Sequence, residues 1–179
     1  MIHLCSKKQA GFSFLEFILV IIFISILFTI AVDKLLILKV DAERTSMNQI
    51  LGGLRSAINI QVASHISKNA VNELTNSINH NPMNWLSEKP KNYIGVLDEP
   101  DPADVKAGKW YFDSYNKHLV YRVSHVEYFK SPLTGPQRAR FQVKLDYTDI
   151  DKNGQFDDNI DQIHGLRLQS IEQYQWLTE

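Results

Sequence analysis

The chain has 179 residues, enough for one domain with its own core and short of what two would normally need. Nineteen Lys and Arg stand against 20 Asp and Glu, so there is no chain-wide electrostatic footprint for nucleic acid, which is not an expected partner. Cys5 is the only cysteine, which excludes an internal disulfide; an exported domain would be held by its core alone.

In chain order, the first feature is a short positive flank, Lys7 and Lys8, ahead of an apolar run from Phe12 to Val32. The run ends Thr29-Ile30-Ala31-Val32-Asp33 without a small-residue cleavage pattern, and it is long enough to span a bilayer, which takes about 20 residues. The reading is a retained single membrane helix over 12–33, with a cytoplasmic N-terminus and the bulk of the chain across the membrane. Glu16 sits near the start of that run. A carboxylate at the centre of a spanning helix is disfavoured by about 2.5 to 3.5 kcal/mol, and by less near an end, so Glu16 calls for a partner.

Lys7-Lys8-Gln9-Ala10-Gly11 followed by Phe12-Ser13-Phe14-Leu15-Glu16 resembles the prepilin signal of type IV pilins and of the pseudopilins of type II secretion. The resemblance is specific over residues 7–35 and general beyond them. It implies that residues 1–11 are a leader, that a membrane prepilin peptidase cuts between Gly11 and Phe12, and that Phe12 becomes an N-methylated amino terminus. It also implies a partner for Glu16: the Phe12 ammonium of another subunit, each charge neutralising the other in lipid. The implied partners are the prepilin peptidase, other pilin or pseudopilin subunits and an inner-membrane assembly platform. The implied location is the inner membrane with a periplasmic pilin-like domain at 34–179, and a cell-surface filament after assembly. Many type IV pilins place a proline near the position of Asp33; here no proline precedes Pro82.

Beyond the apolar run, Met47, Ile50, Leu51, Leu54, Ile58, Val62 and Ile66 recur at three- and four-residue spacing, the pattern of an amphipathic helix continuing from the membrane segment. Gly52-Gly53 is its weakest point, at about 1 kcal/mol per glycine relative to alanine. Val71–Ile78 reads as a further helical turn or two, ended by Asn79-His80-Asn81-Pro82. A loop-rich stretch follows with Trp85, Pro90, Tyr93, Pro100 and Pro102, and its acidic segment from Asp98 to Asp104 reads as a solvated turn.

From Trp110 the period changes to two. Trp110-Tyr111-Phe112 and Leu119–Val123 flank a hairpin turn at Asp113–Lys117, Phe141, Val143, Leu145 and Tyr147 alternate with polar residues, and so do Leu166 and Leu168. This predicts an antiparallel sheet of about four strands with one apolar face, covered by the C-terminal half of the long helix. The fold class is α+β, and the resemblance implies its pilin-like form.

Between the last strands, Asp149-Ile150-Asp151-Lys152-Asn153-Gly154-Gln155-Phe156-Asp157-Asp158 matches the first half of a calcium-binding loop: oxygen-bearing side chains at alternate positions and a glycine sixth. The candidate ligands for Ca2+ are Asp149, Asp151, Asn153, the backbone carbonyl of Gln155, and Asp157 or Asp158. Ile160 stands at the twelfth position in place of a bidentate glutamate, leaving Asp158 or Asp161 as substitutes. The competing reading is a plain Asn-Gly hairpin turn with solvated acids. The resemblance adds that major pseudopilins, which also lack disulfides, use calcium near the C-terminus.

Other chemistry is sparse. The histidines at 65, 80, 118, 125 and 164 lack zinc spacing, and there is no nucleophile elbow, Walker loop or dinucleotide glycine pattern, so an enzyme is not expected. Lys117, His118, Arg122, Lys130, Arg138 and Arg140 are candidates for a basic sheet face, although removal of Lys7 and Lys8 leaves 17 basic against 20 acidic residues. The expected function is a structural or biogenesis subunit, a minor pilin of a type IV pilus-like filament such as the mannose-sensitive haemagglutinin kind, since there is no cysteine pair to close the usual C-terminal loop. The alternatives are a type II secretion pseudopilin and a signal-anchored periplasmic adhesin or enzyme.

Overall fold

The computed structural model describes residues 11–177, apart from the side chain of Asp33. A single helix, α1 (Phe14–Ser67), is followed by short 3-10 turns at Val71–Ser77 and Pro82–Trp85 and then by the strands. The chain divides into two compact units, residues 1–39 and 40–179.

In the first unit every described side chain from 11 to 39 is exposed, and most are apolar. In the second unit α1 becomes one-sided. Val40, Met47, Leu51, Leu54, Ala57 and Ile58 are buried, Ile50 and Val62 pack beside them, and most of the residues between face solvent. The expected amphipathic stripe is therefore present except at its last member, Ile66, which is 51% exposed. The reason is local: Ile66 lies in the closing turn of the helix. Asn69 takes a left-handed conformation (φ 56°), its N–H donates to the Ile66 carbonyl at 3.0 Å, and the Ala70 N–H donates to the His65 carbonyl at 2.9 Å. Those are the two bonds of a Schellman cap, with asparagine in the place glycine usually takes. Gly52-Gly53 does not interrupt the helix, because the packed side chains on either side hold it.

The main sheet has five strands in the order β1 (Tyr93–Leu97), β2 (Trp110–Asp113), β3 (His118–Arg122), β5 (Arg138–Thr148) and β6 (Gln162–Ser170). A separate two-stranded ribbon pairs β4 (Phe129–Lys130) with β7 (Gln175–Trp176). All pairings are antiparallel except β1 with β2, which is parallel. The sheet thus exceeds the expected four strands by β1, which lies in the stretch read as loop. Its alternation is broken by Gly95 (φ 108°) at a register shift between Tyr93 and Val96, so the period-two signal is too short to register.

One face of the sheet packs against the buried side of α1. Trp110, Leu119, Tyr121, Phe141, Val143 and Leu168 meet Met47, Leu51, Leu54 and Ile58 in a single core. Trp110 is fully buried at the centre, its ring 4.8 Å from Tyr121 and 5.9 Å from Phe141 by centroids. Phe129, Tyr174 and Trp176 close one end with stacked and edge-on contacts at 5.4 and 5.0 Å.

Glu43 ties α1 to the sheet. Its side chain is only 7% exposed, and it accepts hydrogen bonds from the Tyr121 hydroxyl (2.8 Å), the Ser124 N–H (2.7 Å), the His125 N–H (3.0 Å) and the His125 ring. Burial works to raise its pKa, but the bonds from Ser124, His125 and Tyr121 outweigh it, and the carboxyl is held below the ordinary 4.5. Because the folded chain favours the ionised form, this contribution is present above pH 4.5 and is lost as the pH falls through the lower folded value. Glu43→Ala leaves two amides and a hydroxyl without their acceptor, and is expected to lower stability by about 2 to 3 kcal/mol in denaturant titrations at pH 7. The same variant should show a flatter loss of stability below pH 4.5 than the wild type; parallel acid limbs would contradict this assignment.

Candidate functional site

Two places carry the residues singled out in the sequence. The first is the start of α1. Phe12 is 81% exposed, and the space around Gly11 is open. Ser13 immediately precedes the helix. The Ser13 N–H donates to Glu16 Oε2 at 2.8 Å, and the Glu16 N–H donates to Ser13 Oγ at 3.3 Å. This reciprocal pair is a capping box, satisfying two backbone donors at a helix start and placing a carboxylate where the helix dipole favours negative charge. Glu16 therefore has a partner within its own chain. The sequence carries this signal as Ser13-x-x-Glu16, a spacing that the membrane cost of Glu16 alone does not reveal. Farther along, Ser25 Oγ donates to the Ile21 carbonyl at 2.8 Å and Thr29 Oγ1 to the Ser25 carbonyl at 3.0 Å, so both hydroxyls are satisfied within the helix. Lys7, Lys8 and the rest of residues 1–10 lie outside the described residues.

The second place is the acidic loop at 149–161. β5 ends at Thr148 and β6 begins at Gln162, so the strands are not joined by a two-residue Asn-Gly turn. The loop is instead organised by its own side chains. Gly154 has φ 80°, a conformation that favours glycine, and its N–H donates to Asp149 Oδ2 at 2.8 Å. Asp161 accepts from both ends of the loop, from the Ile150 N–H and the Asp157 N–H, each at 2.9 Å.

Asp149, Asp151 and Asp161 each offer a carboxylate oxygen within 4.8 Å of the others, and among the described residues this is the one such acidic group. The other candidates are arranged around it. Asn153 turns its amide nitrogen to Asp151 (3.0 Å) and Asp157 (2.6 Å), while its carbonyl oxygen accepts from the Gln155 N–H (2.7 Å). Asp158 is exposed and outside the group, and Asp161 occupies the place left by Ile160. Hard oxygen donors of this kind suit Ca2+ over softer metals. One observation fits a cation directly: Asp149 Oδ1 is shielded from solvent and has no hydrogen-bond partner. The carboxylates also perturb one another. The Gly154 N–H holds the Asp149 carboxyl below its ordinary range, whereas desolvation and then the Asp149 carboxylate push Asp151 above it.

Comparison with family models, with curated proteins and with solved structures finds no match for this chain.

The capping box can be tested directly. Ser13→Ala removes one acceptor, worth about 1 kcal/mol at a helix start. In detergent, amide exchange at Glu16 should accelerate about fivefold while exchange at Leu54 in the packed half of α1 stays unchanged. An unchanged Glu16 amide would mean that the box does not hold this end of the helix.

Proposed function

We propose that this chain is a pilin-like subunit, a minor pilin or biogenesis component of a type IV pilus-like filament, processed between Gly11 and Phe12 and assembled through α1. The observation that carries the reading is the helix itself. It begins at Phe14, directly behind the candidate cleavage site, and its described side chains to Lys39 are exposed and mostly apolar. Helix is compatible with a single membrane anchor by length and composition; residues 14–39 extend about 39 Å at 1.5 Å per residue, against a hydrocarbon core of about 30 Å. The apolar surface needs lipid or other helices as its cover.

In this reading the protein waits in the inner membrane with its second unit in the periplasm, and an assembly platform moves the helix into a bundle of like helices. Glu16 has two roles. In the isolated subunit the carboxylate caps its own helix; in the filament the same oxygens neutralise the Phe12 ammonium of a neighbour, two charges too costly to bury apart. Cleavage at Gly11 leaves the capping box intact, since Ser13 remains an internal residue.

The test is the mass of the N-terminal peptide from membranes of cells with and without a prepilin peptidase. A peptide beginning at methylated Phe12, seen only with the peptidase, is expected; an uncut chain or a cut after residue 32 would overturn the reading. Glu16→Ala is expected to reach the membrane and be cleaved, yet to be incorporated into filaments at least tenfold less than wild type in sheared fractions. An anchored adhesin or enzyme would not respond to that change.

A pseudopilin of a type II secretion system is the second reading, favoured by the carboxylate group of the acidic loop. It takes Ca2+ as a structural ion held by Asp149, Asp151 and Asp161. In calorimetry on the full chain in detergent, calcium should raise the melting temperature, with a stabilisation of about 2.7 kcal/mol at a hundredfold excess over Kd. Asp161→Asn should abolish the shift. No heat and no shift in the wild type would leave the loop as a self-bonded turn.

A further inference from the structure

The face of the sheet opposite the core has an unusual charge pattern. On β5 the outward positions are Arg138, Arg140, Gln142 and Lys144, alternating with buried Ala139, Phe141 and Val143. Arg122 on β3 stands directly opposite Arg138, and Arg167 on β6 directly opposite Lys144. Like charges placed opposite each other across a sheet are destabilising, and this face does it twice on neighbouring strand pairs.

The carboxylates at hand do not resolve the pattern. Glu172 pairs with Arg140, and Asp146 lies 3.5 Å from Arg167. Asp113, buried on the same face, accepts the Tyr115 and Asn116 N–H groups at 3.0 Å and so holds the β2–β3 turn. Arg122 and Arg138 have no carboxylate partner among the described residues. They are held in place by carbonyls instead: Arg122 donates to Pro102 and Gln137, and Arg138 to Thr134 and Pro136. The guanidiniums are thus positioned by neutral acceptors rather than by ion pairs. Burial lowers the pKa of Arg138, and Arg140 and Arg122 add to that, while Tyr111 and the Glu172 carboxylate oppose it.

We propose that this face, from Arg122 through Arg138 and Arg140 to Lys144 and Arg167, docks an extended acidic polypeptide segment laid along β5. The spacing favours such a partner. Outward side chains on a strand recur every two residues, about 6.8 Å apart, and the same-side residues of an extended peptide recur at the same interval, so alternate acidic residues fall opposite Arg138, Arg140 and, past Gln142, Lys144. Arginine adds bidentate pairing with carboxylates. A single-stranded nucleic acid would instead call for aromatic platforms on which bases stack, and the tyrosine of this face, Tyr111, is 2% exposed. The inference is independent of the filament reading, since it uses only the second unit.

The test is fluorescence anisotropy of a labelled decapeptide of alternating Glu and Ser, titrated with the full chain in a neutral detergent at low salt. Binding that weakens as salt rises is expected, with about tenfold loss in Lys144→Gln/Arg167→Gln, two exposed positions whose change removes a like-charge pair. That variant should melt no lower than wild type, which separates lost docking from lost folding. Arg138→Gln should weaken binding comparably, while Lys68→Gln, at a basic residue just beyond the end of α1, should not. Absence of binding by the wild type, equal binding by all variants, or tighter binding of an oligothymidylate of the same length would each overturn the proposal.

Discussion

The constraint on which the rest of this structure depends is an unbroken helix that must serve two side-chain environments along one backbone. An α-helix satisfies its own backbone polar groups wherever it lies, so the change is carried entirely by side chains. Up to Lys39 the apolar residues surround the axis; from Val40 they retreat to one stripe. No proline marks the transition, and the two glycines at 52 and 53 fall where packing against the sheet already holds the helix. Continuity therefore costs the chain little, and it leaves the first unit with no way to cover its apolar surface by itself.

Two glutamates on that helix show how environment assigns different work to one functional group. Glu16 stands in the first turn and is bonded within four residues, by a serine that the helix start brings to it. Glu43 reaches across to Tyr121 on β3 and to Ser124 and His125 just beyond it, partners that come from far along the chain. A locally bonded carboxylate can exchange its partner at small cost, whereas the buried one cannot leave without stranding four donors. The first suits an assembly contact that forms and breaks; the second suits a permanent brace between helix and sheet.

The sheet divides labour between its faces in a similar way. The covered face is filled by aromatic and aliphatic residues around Trp110, and this packing is the source of the stability of the second unit. The opposite face, where Val105 packs with Tyr111 and Val120, retains opposed like charges that packing does not require. At the far end of β5 and β6, the acidic loop concentrates the opposite charge in one connection, held by Gly154 and Asp161.

Much of this was legible in one dimension. Period 3.6 over Met47–Val62, period two over Phe141–Leu145 and the length of the apolar run determine the helix, the main strands and which face of each is buried, because burial acts on side chains whose spacing is set by local geometry. The capping box was equally local and readable at Ser13 and Glu16. What only the tertiary structure decided depends on residues distant in sequence: the parallel pairing of β1 across its glycine irregularity, the seat of Glu43 among Tyr121, Ser124 and His125, the choice of Asp161 to join Asp149 and Asp151, and the register that sets Arg122 against Arg138. Spacing along a chain specifies a face, but which two faces or strands meet is settled by packing and loop closure, and those are properties of the whole fold.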